Sequence, residues 1–89
     1  MKQFAVIGLG AFGSAVARAL YDMDQEVLAI DSSAELVDDI RDEVTQAIQA
    51  NPADEEALES LGLRNFDVVV VAIGNDIQTS ILVSLLCKD

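Results

Sequence analysis

Short apolar runs and helical stripes of apolar residues alternate along the chain. Continuous or alternating apolar runs predict strands at four places: 4–7, 26–30, 44–50 and 66–73. Between them, apolar side chains recur at helical spacing and predict three helices: one over 12–23, one opening at Ser32, and one running from Asn51 to about Gly62. After a turn at 74–76, a final helix is predicted from five apolar positions: Ile77, Ile81, Leu82, Leu85 and Leu86.

Residues that start and stop helices mark several of these boundaries. Ser32, with Glu35 three residues later, forms a capping-box pattern at the start of the second helix. Asn51 followed by Pro52 is typical of an N-cap and a first helical position. Gly62 predicts the C-terminal end of this third helix. The first two predictions concern connections that follow strands, and Gly62 lies in the connection that precedes the fourth strand.

Strand–helix alternation of this kind predicts an α/β fold. We expect three layers, with a Rossmann-like parallel sheet of about four strands in the order 3-2-1-4 and right-handed crossovers. A full Rossmann sheet of about six strands does not fit in 89 residues, so residues 1–89 are predicted to be the truncated first part of such a domain. The strand at 44–50 is placed at one edge of the sheet.

The strand containing Val68–Val71 is placed at the other edge, where it is predicted to be open. A long apolar edge strand pairs with another chain unless something covers it. The pattern therefore predicts both that the natural chain continues and adds strands at this edge, and that the 89-residue fragment associates with a second copy of itself.

A glycine-spaced turn lies between the first strand and the first helix. Gly8, Gly10 and Gly13 follow an apolar run, and Asp31 stands at the end of the next one. This arrangement is the dinucleotide-binding fingerprint, in which glycines permit the turn and the approach of phosphate, and the acid accepts hydrogen bonds from ribose. Ala11 and Phe12 contribute at most backbone amides at the start of the helix, where the helix dipole favours negative charge. A free 2′-hydroxyl is favoured at Asp31, so NADP is disfavoured.

The charge of the chain limits its partners. The formal net charge is −11 at pH 7. An acidic surface of this kind repels nucleic acid and anionic lipid, so neither is an expected partner. Phosphate must also bind against this field, which makes backbone amides the predicted anion site rather than basic side chains.

Other residue types exclude further classes of function. One cysteine, Cys87, and no histidine leave no ligand set for zinc and no internal disulfide, which fits a reducing, cytoplasmic compartment. No signal peptide and no membrane-spanning run is expected. Lys2 and Lys88 lie at the termini and no carboxylate other than Asp31 has an apolar setting, so the chain is predicted not to be an enzyme.

Four segments of the chain carry a recognisable pattern: Phe4–Gly10 with Phe12–Gly13, Glu26–Asp31, Leu61–Asp67 and Val70–Gln78. Together they resemble a known family, the N-terminal RCK or KTN (TrkA-N) subdomain of the regulatory proteins of Trk/Ktr potassium uptake systems. The first is shared with many dehydrogenases, whereas Leu61–Asp67 and Val70–Gln78 are particular to this family. The resemblance extends over the whole chain.

The resemblance implies a cytoplasmic regulatory subunit that gates a membrane potassium channel or transporter. Such domains form dimers and then rings, and they bind adenine nucleotides: ATP, ADP, NAD or NADH, with AMP also possible. The resemblance also places the loop at Asn51 beside the adenine. Ser32, and Gly74 at the switch point of the sheet, complete the predicted binding residues.

The chain departs from the family pattern at two places. Members that sense ATP carry arginine where this chain has Ala11, which weakens the case for triphosphate sensing and leaves diphosphate binding intact. The family often has Ala-Thr after Asn51, where this chain has Pro52-Ala53.

The predicted function is therefore a nucleotide-binding gating module, here a fragment that keeps binding and lacks switching. Two alternatives stay open: the nucleotide-binding half of an NAD-dependent oxidoreductase, and a self-associating scaffold fragment with no ligand.

Overall fold

The computed structural model describes residues 2–73 and 80–85. Within these residues, five strands form one sheet: β1 (Gln3–Ile7), β2 (Glu26–Asp31), β3 (Gln46–Gln49), β4 (Val68–Ile73) and β5 (Ser80–Leu85). Three α-helices accompany them: α1 (Ala11–Asp22), α2 (Ala34–Ile40) and α3 (Glu55–Ser60). Short 3-10 turns lie at Arg41–Glu43 and Leu63–Asn65.

The first four strands form the predicted parallel sheet. The order of the whole sheet is β3-β2-β1-β4-β5, and β1 pairs in parallel with both β2 and β4. Ile7, at the end of β1, lies opposite Ile30 in β2 and Val71 in β4. The predicted order 3-2-1-4 is confirmed, as is the position of β3 at one edge. The carboxyl ends of the parallel strands therefore lie together at one end of the sheet.

The end of the described chain corrects the predicted final helix. Residues 80–85 form β5, which runs antiparallel to β4 with Val70 opposite Val83. The helical spacing of Ile81, Leu82 and Leu85 misleads because Val83 makes residues 81–83 a continuous apolar run, and a short run of this kind fits a strand or a helix equally well. Ile77, Leu86 and the predicted turn at 74–76 lie outside the described residues.

The same strand corrects the predicted open edge. β5 pairs with β4 along its whole length, from Val68 opposite Leu85 to Ile73 opposite Ser80. The backbone groups of β4 that would have faced solvent are thus bonded within the chain. Self-association through the edge of β4 is excluded in this structure, and a dimer keeps only the support of the family resemblance.

Helices cover both faces of the sheet, which makes three layers. On one face Val6, Val27, Ala29 and Val70 pack with residues of α1 and α2, among them Ala17 and Ile40. On the other face Ala5, Ile7, Leu28 and Ile30 meet Leu58 and Leu61 of the α3 region and Phe66. Alternate residues of β1 and β2 enter opposite cores because successive strand side chains point to opposite faces. Both central strands are buried on the two faces, as in parallel sheets generally.

Two of the predicted helix starts are wrong by one to three residues. β2 continues to Asp31, so Ser32 lies in a bend and Ser33 caps α2, with its Oγ accepting from the Leu36 amide at 3.3 Å. Asp54, not Asn51, caps α3 through the Ala57 amide at 3.2 Å. The predicted stop at Gly62 is confirmed: its φ is +73° and its amide donates to the Glu59 carbonyl at 3.0 Å.

Candidate functional site

The turn between β1 and α1 begins with a glycine in a conformation that other residues rarely adopt. Gly8 has a φ of +99°, and its amide donates to the carbonyl of Ile30 in β2 at 2.8 Å. A side chain at this φ would be strained, so glycine is required for the chain to leave β1 in this direction. The bond to Ile30 extends the pairing of β1 and β2 by one step beyond Ile7.

Gly13 lies against the backbone of this turn. A Cβ on Gly13 would overlap the carbonyl oxygen of Gly8 and would lie 2.9 Å from its carbonyl carbon and 3.4 Å from the Cβ of Ala72. Only glycine permits the first turn of α1 to rest on the end of β1. The predicted packing role of Gly13 therefore has a definite contact, the Gly8 carbonyl.

Gly10 has the opposite surroundings. It is the N-cap of α1 with φ −68° and ψ −165°, and a Cβ at this position would have no atom within 4 Å. Gly10, Ala11 and Phe12 are exposed, and no side chain among the described residues caps this helix. The first amides of a helix have no intrahelical partner. The space beside Gly10 is open, and an anion there would meet both these donors and the positive end of the helix dipole.

Asp31 links the turn between β1 and α1 to the connection between β2 and α2. Its Oδ2 accepts from the Leu9 amide at 2.7 Å, and its Oδ1 accepts from the Ser33 amide at 2.8 Å. The carboxylate is half-buried at the end of β2. The structure therefore brings Asp31 and the glycine turn together, as the fingerprint predicts.

Ser32 and Asn51 are connected less directly to the glycine turn and Asp31. Ser32 is exposed and its carbonyl accepts from Nε2 of Gln49 at 3.1 Å. Asn51 follows β3 at the same side of the sheet, since Ala50 donates to the Asp31 carbonyl at 3.0 Å. The Asn51 side chain is used locally, with Oδ1 accepting from the Ala53 amide at 2.9 Å. Gly74 lies outside the described residues.

The described cationic side chains lie away from the turn. Arg18 forms an ion pair with Glu43, Arg41 pairs with Asp38 at 2.8 Å, and Lys2 precedes β1 at the far end of that strand. Among the described residues, no group of three or more His, Cys, Asp or Glu side chains is arranged to hold a metal ion. Any anion at the start of α1 would therefore be held by backbone amides within this part of the chain.

Two contributors to the site are missing from the sequence-based prediction. Leu9 acts through its amide, and a backbone contact leaves no trace in residue type. Ser33 lacks the capping-box partner that favours Ser32, although an aspartate two residues earlier favours a local turn onto the Ser33 amide. The signal that identifies Ser33 is the extension of β2 to Asp31, which moves the N-cap one residue further along the chain.

The fold and this turn define a class, the Rossmann-like α/β domain with an acid at the end of its second strand. The TrkA-N domain family matches residues 4–89, and the chain belongs to this family. The resemblance to the N-terminal RCK subdomain of Trk/Ktr regulatory proteins is thereby confirmed.

Three curated relatives cover nearly the whole chain. Ktr system potassium uptake protein A of Bacillus subtilis (strain 168) is 50% identical over 88 residues, which are 99% of this chain and 40% of that protein. Protein C of the same system is 46% identical, and protein A of Vibrio alginolyticus 47%, with the same coverage of 99% and 40%. The chain thus spans 40% of the length of these relatives.

Two solved structures share the fold. The NAD(P)-binding domain of an exopolyphosphatase-related protein from Archaeoglobus fulgidus has a TM-score of 0.73 and 34% identity, over 85% of this chain and 56% of that one. N5-carboxyaminoimidazole synthetase from Staphylococcus aureus, complexed with ADP, has a TM-score of 0.68 and 29% identity, over 81% of this chain and 18% of that one. Within the described residues of the present chain, no helix has the length and apolar character needed to cross a membrane.

Proposed function

We propose that this chain binds an adenine nucleotide as the first part of a gating module in a potassium uptake system. Membership of the TrkA-N family and the potassium uptake relatives support the transport role. The observation that carries nucleotide binding is the open start of α1: exposed amides, empty space above Gly10, and the Asp31 carboxylate bonded to the same turn.

The ligand class follows from two parts of this site, the amides at the start of α1 and the Asp31 carboxylate. Amides at 10–13 suit a diphosphate, and Asp31 suits ribose hydroxyls, so ADP, NAD and NADH are the expected ligands, with AMP as a weaker one. ATP can bind through the same amides, but residue 11 is alanine and supplies no positive charge for the terminal phosphate. NADP is disfavoured at Asp31. A neighbour complexed with ADP and a neighbour described as NAD(P)-binding support this class.

The role proposed for the whole protein is regulatory rather than catalytic. Its partners are a second copy of the chain and a membrane potassium channel or transporter subunit, met on the cytoplasmic side. Residues 1–89 form the N-terminal part of the nucleotide-binding domain and keep binding, whereas switching needs the remainder. The relatives, all named as potassium uptake proteins, favour this role over the oxidoreductase alternative.

Calorimetric titration tests the proposal. We expect ADP to give a saturable heat and adenosine, which lacks phosphate, to give none at the same concentrations. The chain is first shown to be folded by circular dichroism. A folded chain that releases no heat with ADP, NAD or NADH would contradict nucleotide binding and favour the scaffold alternative.

A further inference from the structure

Asp31 makes two bonds to backbone amides of its own chain. Its Oδ2 accepts from Leu9, which lies 22 residues earlier in the chain, and its Oδ1 accepts from Ser33. At 2.7 and 2.8 Å these distances lie in the range of charge-assisted hydrogen bonds. A single carboxylate therefore joins the glycine turn to the connection that follows β2.

The segment that Asp31 binds has a backbone that would be flexible without an attachment. Leu9 lies between Gly8 and Gly10, and glycines leave a backbone with more conformational freedom than any other residue. The Leu9 side chain is 2% exposed in the core under α1, and its amide is on Asp31. These two attachments fix the peptide immediately before Gly10, and hence the direction in which the first amides of α1 point.

The carboxylate retains capacity for a ligand. Each carboxylate oxygen has two lone pairs, and one on each is used by Leu9 or Ser33. The remaining lone pairs can accept from ribose hydroxyls without breaking either bond. Support of the glycine turn and recognition of ribose are therefore compatible in one side chain.

We propose that Asp31 is a positioning residue for phosphate binding, because its bond to the Leu9 amide sets the glycine turn in its phosphate-accepting form before a nucleotide arrives. The inference rests on the proposed nucleotide site. It adds a second role to the ribose contact and couples the ribose and diphosphate positions through one side chain.

Inorganic pyrophosphate separates the two roles because it has no ribose. Asp31→Ala removes a negative charge, so electrostatics alone would strengthen pyrophosphate binding. A ribose contact alone would leave it unchanged. Positioning has the opposite sign: we expect binding to weaken about tenfold or more, the change that loss of one hydrogen bond to a charged group produces. The readout is the titration of the amide NMR signals of residues 10–13.

Asp54→Ala is the matched control. It removes the same charge and another carboxylate bond to a backbone amide, that of Ala57, but at the start of α3. Its pyrophosphate affinity should equal that of the wild type or slightly exceed it. Asp31→Asn has one acceptor oxygen in place of two and should fall between wild type and Asp31→Ala.

Hydrogen exchange of the unliganded wild type tests the same bond without a variant. The Leu9 amide should exchange at least tenfold more slowly than the Ala11 amide, which starts an uncapped helix. Equal exchange rates overturn the inference, as do unchanged or tighter pyrophosphate binding by Asp31→Ala and a wild type that does not bind pyrophosphate. ADP titration of the wild type, run in parallel, decides the proposed function separately.

Discussion

Gly13 rests on the carbonyl group of Gly8 so closely that no side chain fits between them. A Cβ on Gly13 would overlap that oxygen and approach the carbonyl carbon to 2.9 Å, with Ala72 of β4 at 3.4 Å on the other side. Both of the nearest atoms are backbone, so neither moves without moving β1. The contact determines how near the start of α1 comes to the sheet, and therefore where its amides lie.

Gly13→Ala should destabilise the chain severely. Overpacking against backbone forces α1 away from β1, and we expect the free energy of unfolding to fall by about 3 kcal/mol or more. Urea denaturation followed by circular dichroism measures this change. A loss below about 1 kcal/mol would show that α1 shifts freely and that the close contact does not limit the fold.

Gly10→Ala should leave stability nearly unchanged and weaken nucleotide binding. A Cβ at Gly10 meets no atom within 4 Å, and the poorer N-cap that alanine makes opposes its smaller loss of chain entropy, so the free energy of unfolding should change by less than about 1 kcal/mol. The methyl group occupies the space in which a phosphate would approach the backbone. We expect ADP affinity to fall about tenfold or more, measured by calorimetry on the folded variant. Unchanged affinity would place the phosphates elsewhere.

The central sheet is predictable from the sequence because its apolar runs fit strands and not helices. Val68–Val71 and the run ending at Ile30 are too short and too β-branched to be helices, and the turn at 8–13 fixes which strand is central. The run at 80–85 has no such marker. Its antiparallel pairing with β4 depends on the free edge of that strand, a property of the assembled sheet and not of the local sequence.

The site is predictable only where residue type carries the function. The glycines and Asp31 have distinctive chemistry and spacing, and the structure brings them together. The Leu9 amide and the shift of the cap from Ser32 to Ser33 depend on backbone position, which side-chain patterns do not encode. Asn51 shows the same limit, because Asn-Pro begins a turn as readily as it begins a helix.

The adjacent serines provide a direct test of the α2 cap. Ser33 Oγ accepts from the Leu36 amide, whereas Ser32 accepts from Gln49 through its backbone carbonyl. Ser33→Ala should lower the free energy of unfolding by about 1 kcal/mol, and Ser32→Ala by less than about 0.5 kcal/mol. Parallel urea melts of the two variants measure the difference. The reverse order would restore Ser32 as the cap.

Gly62 should be sensitive to substitution because of its backbone and not because of crowding. Its φ is +73°, yet the nearest atom to a methyl group at this position, Nδ2 of Asn65, would lie at an ordinary 3.6 Å. Gly62→Ala should therefore cost about 1–2 kcal/mol of unfolding free energy, the strain of a left-handed residue. Asparagine tolerates this conformation better, so Gly62→Asn should lose less unfolding free energy than Gly62→Ala in parallel urea melts. Equal losses for the two variants would argue against strain as the cause.

The choice between NAD and NADP tests the ligand side of Asp31. A 2′-phosphate would bring negative charge to a carboxylate whose oxygens already accept two amides, and Arg18 and Arg41 are paired elsewhere. We expect NAD to bind about tenfold or more tightly than NADP in matched calorimetric titrations. The two ligands share the diphosphate, so the ratio isolates the ribose position from the glycine turn. Equal affinities would show that the ribose lies away from Asp31, while loss of both would contradict the nucleotide site itself.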